Sequence, residues 1–327
     1  MEEKIYKYWF YTIEYLGIET TKRLIEIFHS PKEIFKASME KISKIEGISQ
    51  KTLNSIYNSR NPYKIQKEYE EMKKKQIQFL CMEDKEYPGR LRRIKDMPRA
   101  LFVRGELPEE KGMAVAVIGA RECTNYGKNT ALEIGKALGE HGVNVISGMA
   151  RGIDGYAQQG AVNAGGKSYG VFGCGVDICY PKENYYLYEK LIETGGVISE
   201  YKPGVPARAM NFPMRNRIIS GLSDIIIVVE AKKRSGTSIT VAQALEQGKE
   251  VMAVPGRICD ALSEGCNYLI SQGAYPVNSV EEMLFDMGIS KEKNKKINKN
   301  LNNTLASELK LVYACLDFVP KSVAQVA

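Results

Sequence analysis

The sequence predicts an α/β protein built on a doubly wound, mostly parallel sheet, with a small helical domain before it and a short helical segment after it. Three observations carry this. Between Val117 and Gly256, apolar β-branched runs alternate with amphipathic stretches, the order of strand and helix that winds a parallel sheet. Runs such as Ile225-Ile226-Ile227-Val228-Val229 are apolar on both faces, which requires a strand covered on both sides. Turns of small residues fall where a strand should hand over to a helix, the place where such sheets bind ligands. These are Ile118-Gly119-Ala120-Arg121, the turn from Ser147 to Asp154, and Ser235-Gly236-Thr237-Ser238.

Residues 1–72 read as helices. Leu16-Gly17-Ile18 precedes Thr20 and an apolar series at Leu24, Ile25, Ile27 and Phe28; Ile45-Glu46-Gly47-Ile48-Ser49 precedes Leu53, Ile56 and Tyr57. The repeat of Gly-Ile, a polar cap and an amphipathic helix fits paired helix-hairpin-helix units or a SAM-like domain. Such hairpins can hold a DNA phosphate on the backbone amides of the second helix. A helical packing domain with no such contact fits equally, because these hairpins lack a run of cations.

The second domain spans residues 76–288. Ile77–Cys81 and Ala100–Val103 are short strands separated by the turn residues Tyr87-Pro88-Gly89 and Met97-Pro98. The alternation follows: strand Ala114–Gly119, helix Lys128–His141, strand Val143–Ser147, helix Ile153–Ala164, strand Ser168–Phe172 and helix Tyr185–Glu193. It continues with strand Val197–Ser199, helix Arg215–Gly221, strand Asp224–Glu230, helix Ile239–Gln247, strand Glu250–Val254 and helix Asn267–Gln272. Residues 289–303 are polar, rich in Asn and Lys, and aperiodic, as a solvated linker would be. In residues 304–327, Leu305, Leu309, Val312, Tyr313 and Leu316 recur at helical spacing. That segment is too short for a core of its own, so it reads as an abbreviated winged-helix-like third domain.

Composition narrows the function. With 327 residues, 44% hydrophobic and 26% charged, the chain is an ordinary globular one, and a formal charge of +7 favours an acidic partner, nucleic acid first. No cationic leader with an apolar run opens the chain, and no window approaches a membrane span, so a cytoplasmic location without membrane contact is the default expectation. The seven cysteines, at 81, 123, 174, 179, 259, 266 and 315, form no CxxC pair and are expected reduced and mostly buried. With only His29 and His141, a histidine metal site is disfavoured and a Ser-His-Asp triad has few possible bases. Both histidines fit surface or packing positions.

The turns suit phosphate. After Gly119, Ser147 and Gly173, backbone amides and helix N-termini can face an anion, and Arg121 and Arg151 add full charges. A dinucleotide is disfavoured, because no GxGxxG turn is present and no acidic residue closes the strand Val145-Ile146-Ser147 to hold a ribose hydroxyl. Phe212-Pro213-Met214-Arg215-Asn216-Arg217 sets an aromatic ring just before cations at a helix start. Guanidinium takes phosphate and the ring stacks on an unpaired base, the combination used for single strands. A buried Phe beside surface arginines is the plainer alternative. Lys182, in Tyr180-Pro181-Lys182, is a further phosphate candidate, and Asp154 is expected to orient its own turn.

Taken in order, these motifs resemble the DprA/Smf family of DNA-processing proteins. The resemblance runs from Asp84-Lys85-Glu86-Tyr87-Pro88 and Pro98-Arg99-Ala100-Leu101 through the turns above to Gly173-Cys174-Gly175-Val176-Asp177, Ser199-Glu200, Glu230, Thr240 and Val254-Pro255-Gly256, covering residues 8–285. It implies an extended Rossmann-like domain that binds single-stranded DNA and helps load the RecA recombinase during natural transformation, as a homodimer, without cofactor or catalysis. On that resemblance, Arg121 and Lys182 match DNA-contact positions, Ser147, Gly148, Arg151 and Gly152 a pocket turn, and Phe212, Arg215, Asn216 and Arg217 the family's Phe-Pro-x-Arg-Asn-Arg segment. Gly119, Ser235, Gly236 and Thr237 complete the expected DNA site. Two departures stand out: Gln158 or Gln159 occupies the place of the usual His after the Gly-Ile-Asp turn, and the C-terminal winged-helix domain is cut short. The rival class is a nucleotide phosphoribohydrolase on a related fold. Its signature needs a glutamate where this chain has Thr240, and without it an oxocarbenium-like step loses its electrostatic partner.

Overall fold

Six helices open the chain, α1 (Glu3–Tyr11), α2 (Ile18–Phe28), α3 (Pro31–Lys36), α4 (Met39–Ser43), α5 (Gln50–Ser59) and α6 (Pro62–Lys74), in a computed structural model that describes residues 1–290. Ser30, Ser38, Ser49 and Asn61 cap α3 to α6 by accepting a bond from the backbone three residues on, each worth about 1 kcal/mol. The two amphipathic series read from the sequence are α2 and α5.

These helices share an apolar core with one edge of the sheet. The Tyr8 ring meets Phe79 and Phe102 edge-on at 5.4 and 6.3 Å, contacts worth about 0.5–1.5 kcal/mol each beyond burial. Arg99 donates to the carbonyl of Ile13 at 2.6 Å, and the Lys7 ammonium reaches Asp84 at 3.1 Å. Residues 1–280 form one compact unit, and a second begins at Glu281.

The sheet begins with β1 (Gln78–Cys81), short α7 (Gly89–Arg92) and β2 (Ala100–Gly105). The alternating series then runs β3 (Ala114–Ile118), α8 (Asn125–Glu140), β4 (Asn144–Ser147), α9 (Ile153–Asn163), β5 (Ser168–Phe172), α10 (Tyr185–Thr194) and β6 (Gly196–Ser199). It continues α11 (Asn211–Leu222), β7 (Ile225–Val228), α12 (Gly236–Glu246), β8 (Glu250–Ala253), α13 (Glu264–Ser271), β9 (Tyr275–Pro276) and α14 (Val280–Asp286). The nine strands lie in the order β1-β2-β6-β5-β4-β3-β7-β8-β9. From β6 to β9 all pairs are parallel, and β2 joins β6, and β1 joins β2, antiparallel. The doubly wound α/β fold is therefore present, with an antiparallel pair added at one edge.

This order places the site. From β3 the chain steps through β4, β5 and β6 in one direction, then returns to lay β7 on the other side of β3, where Val115 pairs with Val145 of β4 and Ile225 of β7. Loops leaving β3 and β7 must diverge there, opening a crevice at the carboxyl ends of the strands. Helices α8 and α9 pack closely beside it, because a Cβ on Gly135 would lie 1.9 Å from the Ala157 carbonyl and one on Gly160 2.2 Å from that of Leu132.

Several helices start earlier than the apolar pattern marks. Helix α8 begins at Asn125 behind the Thr124 cap and α12 at Gly236, because first turns of small and polar residues carry no hydrophobic periodicity, and α11 begins at Asn211, with Pro213 accommodated in its first turn. The six cysteines among the described residues are free. Cys81, Cys174 and Cys266 are buried, Cys123 and Cys179 half-buried and Cys259 exposed, so burial holds for half of them rather than most. No helix among the described residues is long and apolar enough to cross a membrane. The expected linker past Ser290 and the expected third domain lie outside the described residues.

Candidate nucleic-acid interface

A cleft of about 880 Å³ lies at the switch between β3 and β7, lined by Gly119, Arg121, Phe212, Arg215, Asn216 and Ser235–Thr237 among others. A smaller cavity of about 100 Å³ adjoins it, sharing Arg121, Tyr180, Phe212 and Arg215 and adding Gly148, Arg151 and Pro181. Three turns far apart in the sequence thus meet on one edge of the sheet.

Phe212 is the centre of this arrangement. Its ring is half-buried, stacked on Tyr180 with centroids 5.5 Å apart and planes 27° from parallel. The guanidinium carbons of Arg121 and Arg215 stand 5.3 and 5.7 Å from its centroid. Arg121 is exposed and makes no salt bridge among the described residues, so its charge is available to a ligand. The plainer alternative for this segment, a buried Phe beside surface arginines, is thereby inverted: the ring is partly open and Arg215 is the buried group, 5% exposed.

Arg215 is held firmly. It donates to the carbonyl of Gly148 at 3.0 Å, to that of Val171, and through Nε to Asn216 at 3.1 Å. Burial pulls its pKa down to about 10 against the attraction of Asp154, which leaves it charged at neutral pH. Burial likewise pushes the Asp154 carboxyl up, opposed by Arg215 and by the bond it accepts from the Gly148 amide at 3.1 Å. Asp154 orients its own turn, as its position suggested.

The turn after β4 is shaped by backbone. Gly152 sits at φ +75°, and a Cβ there would lie 2.2 Å from the Ala120 carbonyl, so the β3 and β4 turns interlock only with glycine at this point. Ser147 is fully buried and donates to the Val117 carbonyl at 2.7 Å, which ties β4 to β3 and keeps the hydroxyl out of the cleft. Gln158, one of the two glutamines at the place of the usual histidine, is buried too. It accepts from the Met149 amide at 3.0 Å and donates to Ser168 at 3.2 Å.

Arg151 lines the smaller cavity, exposed and paired with Glu183, and Lys182, also exposed, follows Pro181 of that lining in the sequence. Beyond them Tyr185 and Tyr186 stand 59% and 65% exposed at the start of α10, aromatic surface beside a cation. Arg217 does not join this group. It is 8% exposed and donates to both oxygens of Glu200 at 3.0 and 2.6 Å, a bidentate pair that fastens α11 to the segment after β6. The expectation that Arg217 lies on the cationic edge is corrected by this geometry.

Sequence reasoning also missed Lys232, which lines the cleft, and its exposed neighbours Lys233 and Arg234. The signal was present as three consecutive cations before Ser235. Two acids line the same space, Glu122 and Asp154. Glu230, at the end of β7, is 3% exposed and spends its carboxylate on the Thr124 hydroxyl and amide, at 2.5 and 2.9 Å. Among the described residues no cluster of His, Cys, Asp and Glu is placed to hold a metal ion.

The family model for DNA recombination-mediator protein A matches residues 78–288, the whole sheet and every turn of the cleft. The chain belongs to the DprA/Smf family. DNA processing protein DprA of Streptococcus pneumoniae is 43% identical over 198 residues, 61% of this chain and 70% of that protein. Protein Smf of Escherichia coli is 45% identical over 199 residues, 61% of this chain and only 53% of its own length. Among solved structures, S. pneumoniae DprA superposes with a TM-score of 0.76 at 33% identity, over 88% of this chain and 99% of that one. DprA of Helicobacter pylori, whose structure describes a single-stranded DNA binding mode, gives 0.58 at 26% identity, over 64% of this chain and 95% of that one. The DprA/Smf assignment thus rests on the sheet and its loops.

Proposed function

We propose that this chain is a recombination mediator that binds single-stranded DNA along the cleft without catalysis. The carrying observation is Phe212, a partly open ring flanked by two guanidinium groups at the switch point of the sheet. Backbone phosphates pair with Arg121 and, farther along the edge, with Arg151 and Lys182, while an unpaired base stacks on the aromatic face. Gly148 and Gly152 shape the turn after β4 by letting it close on Arg215 and on the Ala120 carbonyl, and Asn216 and the Ser235-Gly236-Thr237 turn line the other wall. The DNA-binding mode described for the H. pylori relative supports this reading. So does Thr240, buried where a phosphoribohydrolase would need a carboxylate.

In the same reading the bound strand is passed to the RecA recombinase in the cytoplasm during natural transformation, with the protein acting as a homodimer. Membership of the DprA/Smf family is what supports these steps.

Two substitutions separate the parts of the mechanism. With a fluorescent oligonucleotide, Arg121→Ala should lower affinity and flatten its dependence on salt by about 0.7 in the log-log slope per lost phosphate contact. Phe212→Ala should cost about 1–3 kcal/mol with the slope unchanged, the mark of lost stacking. Wild-type binding by both variants would overturn the reading.

A further inference from the structure

The cleft has two chemically different walls. Arg121, Phe212 and Arg215 form one, and the strand-binding reading uses it. The other is the first turn of α12, an 11-residue helix that carries no acidic residue in that turn and whose Gly236 and Thr237 line the cleft. Amides in the first turn of a helix have no intrahelical acceptor, and the helix dipole adds positive potential there. A helix end alone would say little.

The second observation is Thr240. Its side chain lines the cleft and is only 3% exposed, yet its hydroxyl makes no hydrogen bond among the described residues. Thr237, three residues earlier on the same helix face and 9% exposed, likewise makes none. Both threonines line the cleft, so two hydroxyls without a protein partner among the described residues stand side by side at the end of the helix, free to donate to an acceptor seated there. Lys232 lines the same wall and supplies a full positive charge. Glu122 is the one exposed acid in the lining.

We propose that this wall seats the phosphomonoester of a nucleotide. A monoester phosphate has three free oxygens and a charge near −2, enough to occupy the amides, both hydroxyls and Lys232 together. An internal phosphodiester carries one charge and is esterified on two sides, so it suits the open guanidinium wall. The inference rests on the strand-binding reading and extends it: the phosphate belongs either to the end of a bound strand or to a free nucleotide, held at the first turn of α12.

The test compares thymidine oligonucleotides with a 5′-phosphate, a 3′-phosphate or hydroxyls at both ends, and thymidine 5′-monophosphate as free ligand by calorimetry. The expected result is a preference of about tenfold, the effect of one charge-assisted bond, for one phosphorylated end or for the free nucleotide over the hydroxyl-ended strand. Thr240→Val should abolish that preference and Thr240→Ser retain it, which separates loss of the hydroxyl from loss of fold. A strand-end preference identifies the end as the source; binding of the monophosphate alone identifies a free nucleotide. Three strands of equal affinity and no binding of the monophosphate would overturn the seat while leaving strand binding standing. Failure of every strand, with Thr240-dependent binding of the monophosphate, would overturn strand binding and leave the seat.

Discussion

At the scale of single residues, two arginines two positions apart on one helix do different work. Arg215 turns toward the carbonyls of Gly148 and Val171 under the cleft, and Arg217 turns toward Glu200. A helix separates such positions by roughly 200°, so the two side chains leave on nearly opposite faces. Because α11 is enclosed on both, each charge needed a fixed partner. Arg217→Ala should therefore destabilise the fold by about 3 kcal/mol, the cost of stranding one member of a buried pair, whereas the exposed Arg121→Ala should leave the melting temperature within a degree or two. Thermal unfolding of the two variants checks this, and equal melting points would contradict it. The sequence shows that residues 215–217 carry cations beside an aromatic ring. It cannot show which charge is spent internally, because Glu200 becomes a partner only once β6 and α11 are packed.

At the scale of elements, the strands were the most legible part. Ile225–Val228 and Ala114–Ile118 are buried at every position, and continuous apolar runs admit few other structures. The helix starts were less so. Thr124 and Ser235 read as loop residues, yet each stands at the N-cap of a long helix, and in the case of α12 the difference moves Gly236 and Thr237 from a loop into a helix end. That shift turns a flexible turn into an oriented dipole. The glycines between α8 and α9 carried another message that periodicity alone does not deliver. Gly135 and Gly160 bring the two helix backbones into contact, so Gly135→Ala should cost about 1–3 kcal/mol through overpacking. It should also displace the Ser147–Gly152 turn, which α9 follows directly. Chemical denaturation measures the first effect, and a weaker oligonucleotide affinity would report the second; an unchanged midpoint would show that the helices can part without cost.

At the scale of the whole molecule, the site exists because the chain reverses direction across β3. No single turn is specific: Gly119-Ala120-Arg121, Gly148–Gly152 and Ser235–Thr237 become one cleft only through the strand order β4-β3-β7. That order was legible as a class, since alternating strands and helices imply a switch point, and so the meeting of the three turns could be anticipated. The strands β1 and β2 were legible, but their antiparallel pairing at the sheet edge and the seating of the N-terminal helices on them through Tyr8 and Arg99 depend on contacts between distant residues that no local pattern carries.

The central claim is that this cleft recognises an unpaired strand through charge and an open ring together. The most direct measurement is competition between single- and double-stranded oligonucleotides of the same sequence for the wild-type protein across ionic strength. Stacking on Phe212 needs a base released from its pair, and the phosphate contacts release counterions. The single strand should therefore displace the duplex at every salt concentration, with log affinity falling linearly as log salt rises. Equal competition by duplex, or an affinity indifferent to salt, would contradict the account.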